Sequence, residues 1–260
     1  MDRTLRQQAH FDGIASRYRE ARRHRNHLAL KDLIWREALA GLTDVRAPGV
    51  RVLEPMCGFA DGQWILERQF GVSVDYRGFD FSEAVVDSLA RSRPDLAVWQ
   101  QDVTRFEPTE EVDIVILLGG LHHVPHMAGP VVARCAGALR PGGYFINFEP
   151  THGNPLFRAV RDGVYRRNSL FDEATERAFS VDELFGFFTA AGLQPVQVLY
   201  PGLLSYVLYY NPDAFPILNI GGPGLVERLW RTERPFLRGR LARCLSFATL
   251  GVWRRPVAED

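Results

Sequence analysis

The stretch VLEPMCGFADG, Val52 to Gly62, decides how this chain is read. It follows Pro48 and Gly49, opens as a short apolar strand and runs straight into the helix-like WILERQF. A glycine-containing loop between a buried strand and a helix is where an open α/β sheet cradles a ligand, because the backbone approaches closely there and N–H groups point outward. Gly58 is central to the loop, and Met56 and Ala60 stand where two further glycines are expected.

Working outward, short apolar runs alternate with helical ones. RVLEP is followed by a helix over Gln63 to Phe70, VSVDYRGFD by a helix over Glu83 to Arg91, and LAVWQQD leads to VDIVILLGG. A helix over Met127 to Leu139 then precedes GGYFINFEP. Strands separated by helices of this length imply right-handed crossovers and a mostly parallel sheet covered on both faces, so the fold class is open-sheet α/β. Residues 1–48 form a helical lead-in, with Leu28, Leu30, Leu33, Ile34, Ala38 and Leu39 as its apolar stripe. After Pro150 the rhythm changes to a polar connection, a helix at VDELFGFFTAAG, a strand at LQPVQVLYP and a last strand within ARCLSFATLGVWRRP. An aromatic insertion broken by Pro and Gly lies between those two strands. We read 1–260 as one domain, with 49–150 the cofactor-binding core and 151–260 completing the sheet and setting specificity.

Composition bounds the function. The chain of 260 residues is 46% hydrophobic, enough for one substantial core, and its 31 acidic and 31 basic residues give no bias toward nucleic acid or an anionic membrane. Cys57, Cys135 and Cys244 are odd in number and lack ligand spacing, which argues against a disulfide framework or zinc site and fits a reducing cytoplasm. No apolar run approaches the roughly 18 residues needed to span a bilayer.

A dinucleotide would require GxGxxG, and Asp61 stands where its phosphate would sit. The loop instead resembles motif I of the class I S-adenosylmethionine-dependent methyltransferases of small-molecule type. Glu54 is the acidic position and Gly58 the middle glycine, while Met56 and Ala60 depart from the pattern. Asp80 in YRGFDFS, followed by Phe81, falls where the family's carboxylate takes both ribose hydroxyls. Asp102 with Val103 falls where adenine is read, and VDIVILLGGLHHV, including Leu118, resembles the fourth strand. HFDGIASRYRE resembles a lead-in whose tyrosine, Tyr18, closes over the methionine tail. The resemblance implies S-adenosyl-L-methionine as cofactor and a seven-stranded sheet with the last strand antiparallel. A sulfonium cofactor carries an ammonium rather than a pyrophosphate, so an acidic Glu54 is favourable nearby. The alternative for Glu54 and Asp80 is ordinary capping of the following helices.

Methyl transfer to a hydroxyl calls for alignment and a base. His123, ahead of His122, is the candidate base, with Glu149 and His152 second candidates; packing near the cofactor is the competing reading. HHVPH, which includes His126, lacks a convergent carboxylate, so no metal is expected. The place after the fourth strand reads LLGGLHH rather than an Asn/Asp-Pro-Pro-aromatic run, which argues against nucleic-acid substrates and leaves a small molecule, accepting on O or N. Leu203, Leu204, Tyr206, Tyr209, Tyr210, Phe215 and Ile217 are candidates to line an apolar pocket, a lid or a dimer face. The Arg-rich run VERLWRTERPFLRGRLARC leaves peripheral membrane contact open, beside the simpler reading of a solvated basic face. The chain is expected as a monomer or homodimer. Two rivals stay open: a non-methyl reaction such as cyclisation with the cofactor structural, and a non-catalytic scaffold with a decayed pocket.

Overall fold

The computed structural model describes residues 23–153, 158, 159, 163, 177–210, 212 and 216–257. Tyr18 and Phe215 lie outside the described residues.

Helix α1 (Arg25–Leu39) leads into β1 (Val50–Pro55), α2 (Asp61–Phe70), β2 (Val74–Asp80), α3 (Glu83–Ser92) and β3 (Ala97–Gln100). Then come β4 (Val112–Leu118), α4 (Ala128–Gly137), β5 (Leu139–His152), the two-residue β6 (Phe179–Ser180), α5 (Val181–Ala190) and β7 (Gln194–Leu199). Helices α6 (Leu204–Tyr209), α7 (Pro223–Glu233) and α8 (Gly239–Leu245) precede the last strand, β8 (Ala248–Arg254).

The main sheet runs β3-β2-β1-β4-β5-β8-β7, with β6 attached to the end of β5. Strands β1 to β5 pair in parallel, and β8 is antiparallel to both neighbours. The seven-stranded path with its last strand antiparallel is therefore as expected, and β6 is an addition to it.

The strands are buried on both faces because alternate side chains enter different cores. Val52, Ile114 and Ile116 join Leu30 and Ile34 of α1, Ile65 of α2 and Trp230 of α7. Leu53, Val115 and Leu117 join Val131 and Cys135 of α4 and Leu184 and Phe188 of α5. Strand β1 lies between β2 and β4, so the connections that leave it and reach β4 diverge there, and the loop after β1 sits at the switch point of the sheet.

Three expectations shift. ARCL is helix rather than strand: Ala242 is buried on α8, and β8 starts only at Ala248. The run Ala-Arg-Cys-Leu is rich in helix formers, so local propensity outweighs its apolar content. Helix α4 ends at Gly137, because Leu139 is drawn into the sheet opposite Val112. In α1 the buried stripe includes Trp35, while Leu28 and Leu33 stay partly exposed. Among the described residues no helix is long and apolar enough to cross a membrane, and no group of three or more His, Cys, Asp or Glu is placed to hold a metal ion.

Candidate active site

The loop after β1 turns by an unusual backbone. Met56, Gly58 and Ala60 have φ of 55°, 51° and 60°, so alternate residues are left-handed. For a non-glycine residue this conformation costs about 1–2 kcal/mol. The glycine pattern expected at these positions is thus a backbone requirement that this chain meets with two side chains in place.

Glu54 lies beneath the loop, 1% exposed. Its carboxyl accepts from the Gly62 N–H, at 3.0 and 3.1 Å to its two oxygens, and from the Tyr76 hydroxyl at 2.6 Å. Ala60, the residue before α2, makes no side-chain cap, so Glu54 performs that task from the preceding strand. Burial drives its pKa up to about 8, against the opposing hydrogen bond from Tyr76. This geometry matches the capping reading of Glu54. Asp61 is ion-paired to the nearly buried Lys31 of α1 at 2.5 Å.

At the end of β2, Asp80 accepts from the Gly58 N–H (3.0 Å) and the Ser82 N–H (2.9 Å), tying the β1 loop to the β2 turn. Burial raises its pKa, with these two donors and the charge of the nearby His123 opposing. The Phe81 carbonyl accepts from Gln100. At the end of β3, one Asp102 oxygen accepts from both the N–H and the hydroxyl of Thr104, and Val103, buried, opens a single 3₁₀ turn.

Across the switch point, β4 ends at Leu118 and Gly119 turns left-handed, φ 62°. Glu149 of β5, 1% exposed, accepts from the N–H groups of Gly120 (2.9 Å) and Leu121 (2.8 Å) and meets His122 Nδ1 at 2.9 Å. The His123 ring lies 4.0 Å from that of His122, centroid to centroid. Gly120 packs closely, since a Cβ there would come within 2.8 Å of Met56 Sδ and displace that side chain. The β1 loop and the β4 turn therefore touch through Met56.

Comparison with known proteins settles what these strand ends belong to. Residues 52–143 match the family model described as a methyltransferase domain. The chain thus carries a methyltransferase domain over these residues and resembles the class I S-adenosylmethionine-dependent methyltransferases. A demethylmenaquinone methyltransferase of Bacillus cytotoxicus is 25% identical to the methyltransferase over 186 residues, 63% of this chain and 78% of the relative. In fold it is similar to a geranyl diphosphate methyltransferase solved with S-adenosylmethionine (TM-score 0.56, 17% identity, 86% of this chain and 85% of that one). It is similar too to the [4+2]-cyclase SpnF (TM-score 0.53, 18% identity, 84% and 80%).

S-adenosylmethionine is the cofactor, and the residues of the methyltransferase fit it. A Cβ built on Gly58 meets nothing within 4 Å, so the loop opens onto free space at its tightest point. Asp80 borders that opening through the Gly58 N–H, and neither it nor Asp102 has a lysine or arginine closer than the 3.8 Å between Asp102 and Arg105 among the described residues. Carboxylates suit hydroxyl and amine donors and repel phosphate. The residues that sequence reasoning missed are Tyr76, Gly62, Gly120 and Lys31. Only Gly62 carried a signal, as the last glycine of GFADG: a Cβ there would lie 2.7 Å from the Glu54 carboxyl.

Proposed function

We propose that the methyltransferase acts on a small, partly apolar metabolite rather than a nucleic acid, at an oxygen or nitrogen atom, with His122 as base. The observation that carries this reading is the Glu149–His122 pair at the carboxyl end of β5. A buried carboxylate already holding two backbone N–H groups accepts from Nδ1, which makes Nε2 the nitrogen able to take a proton from an acceptor hydroxyl or amine. Glu149 is then a positioning residue rather than the base. His123, whose charge acts on Asp80, packs against the His122 ring and is assigned no proton transfer.

When bound, S-adenosylmethionine supplies an electrophilic sulfonium methyl. We assign Asp80 to the ribose hydroxyls, since a carboxylate with two N–H partners retains acceptor capacity. Asp102 and Val103 are assigned to adenine, and Gly58 to the closest backbone approach. Met56, Phe81 and Leu118 are assigned to the apolar walls and Glu54 and Asp61 to shaping the loop, while the resemblance assigns Tyr18, outside the described residues, to the methionine tail. A partly apolar acceptor accords with the relative whose name is that of a demethylmenaquinone methyltransferase.

Calorimetric titration with S-adenosylmethionine and S-adenosylhomocysteine, with NAD as control, tests the site; acceptor screening read by S-adenosylhomocysteine formation tests the reaction. His122→Ala lowers turnover by about 10²-fold or more, and His123→Ala by much less. Equal turnover of His122→Ala and the wild type removes the base assignment, and product formed without S-adenosylhomocysteine points to the cyclisation rival.

A further inference from the structure

Beyond the strand ends, the segment Arg234-Pro-Phe-Leu-Arg-Gly-Arg-Leu241 combines features that the methyl-transfer reading does not use. Phe236 is 58% exposed and Leu241 64%, while Leu237 between them is buried at 1%. Burial of Leu237 anchors the segment, and its carbonyl accepts from the Tyr200 N–H just past β7. Strand β7 runs parallel to β5 through the intervening antiparallel β8, so this anchor is at the carboxyl edge of the sheet, the edge that bears His122. A third exposed apolar side chain, Leu204 at 53%, belongs to the same knot of chain. The neighbouring Ser205 N–H and hydroxyl both donate to the buried carboxylate of Glu233, immediately before Arg234.

The charge on the segment itself is one-sided. Between residues 234 and 241 there are three arginines and no acid. Arg234 and Arg238 share one carboxylate, that of Glu37, at 2.6 and 2.7 Å. One positive charge is left over from that trio, and Arg240 adds another, with no carboxylate paired to it among the described residues. An aromatic and an aliphatic side chain standing in solvent among guanidinium groups is the chemistry of a lipid interface. The apolar groups enter the acyl boundary there, and the arginines extend to phosphate. An acidic protein or an RNA would satisfy the arginines but gives no reason for Phe236 and Leu241 to stand out at the tip.

We propose that this knot docks the enzyme on an anionic lipid surface, turning the carboxyl edge of the sheet toward the membrane. An amphiphilic acceptor held in the bilayer then faces the site. The lipid contact itself does not depend on the assignment of His122 or of the acceptor.

Flotation of the full chain with phosphatidylglycerol-containing vesicles, and with vesicles of phosphatidylcholine alone, tests it. The wild type floats with the anionic vesicles, and raised salt reverses this. Combined Phe236→Ser and Leu241→Ser lowers partitioning by about tenfold or more, and Arg240→Gln by about fivefold. Cofactor affinity in the calorimeter stays unchanged in each variant, which separates loss of docking from loss of fold. Should the double variant lose cofactor affinity, Arg240→Gln alone decides. Absence of flotation with phosphatidylglycerol, equal flotation with phosphatidylcholine alone, or unchanged flotation of the folded variants overturns the proposal.

Discussion

Two carboxylic acids, Glu54 at the end of β1 and Glu149 near the end of β5, occupy equivalent places on either side of the switch point. Each is 1% exposed; Glu54 accepts one backbone N–H, from Gly62 in the helix after its own strand, and Glu149 two, from Gly120 and Leu121 after the neighbouring strand. They differ in the last partner. Glu54 meets a tyrosine hydroxyl, itself pushed well above its ordinary pKa by burial, so that proton stays between two groups that never reach the site. Glu149 meets an imidazole, whose second ring nitrogen is left for another partner. The same buried carboxyl therefore builds a loop in one half of the molecule and holds a histidine ring in the other.

The comparison is open to direct attack. The largest expected effect concerns Glu54. Its folded pKa, about 8, lies above the ordinary 4.5, so the folded protein holds a proton that the unfolded chain releases between those values. The stability of this contact is complete below the unfolded pKa and is lost as pH rises through about 8, at roughly 1 kcal/mol per pH unit. Glu54→Gln flattens that slope in denaturant titrations at successive pH values, and an unchanged slope would mean that Glu54 is ionised in the fold.

For Glu149→Gln the effect falls on turnover instead. The amide oxygen can still accept from Gly120 and Leu121, but its N–H faces Nδ1 and forces the wrong tautomer. A fall in kcat of about 10²-fold with a nearly unchanged melting temperature is expected. A variant that melts early yet turns over normally when folded would reduce Glu149 to a cap like Glu54.

Asp80→Ala sharpens the contrast from the cofactor side. It removes the ribose assignment and also frees the Gly58 N–H, so S-adenosylmethionine binding weakens by more than about tenfold in the calorimeter. Unchanged affinity would overturn the assignment. The smallest effect belongs to the strained loop: Ala60→Gly relieves a left-handed side chain and stabilises the fold by about 1 kcal/mol, read as a higher denaturation midpoint. No gain would show that packing of the buried Ala60 methyl offsets the strain.

Much of the strand-end arrangement was legible in the sequence. Glu54, Gly58, Asp80 and Asp102 each stand at the end of an apolar run, and strand periodicity alone brings such ends to one edge of a parallel sheet. Helix ends were less legible. Ala242 to Leu245 has a composition that suits either state, and only the pairing of Ala248 with Pro150 shows where β8 begins. The pairing of His122 was beyond reach, because it rests on a contact between residues 27 positions apart.

By itself, then, the sequence determined the alternation of strands and helices through the first five strands, which follows from local pattern, and its strand-end residues carried the resemblance that implies the cofactor. Only the tertiary structure decided that Met56 and Ala60 are left-handed, that Tyr76 closes the space under the loop, and that Glu149 is oriented onto His122 rather than His123. Those outcomes depend on sheet register and on close packing between distant segments, where a shift of one residue exchanges the two faces of a strand and with them every partner.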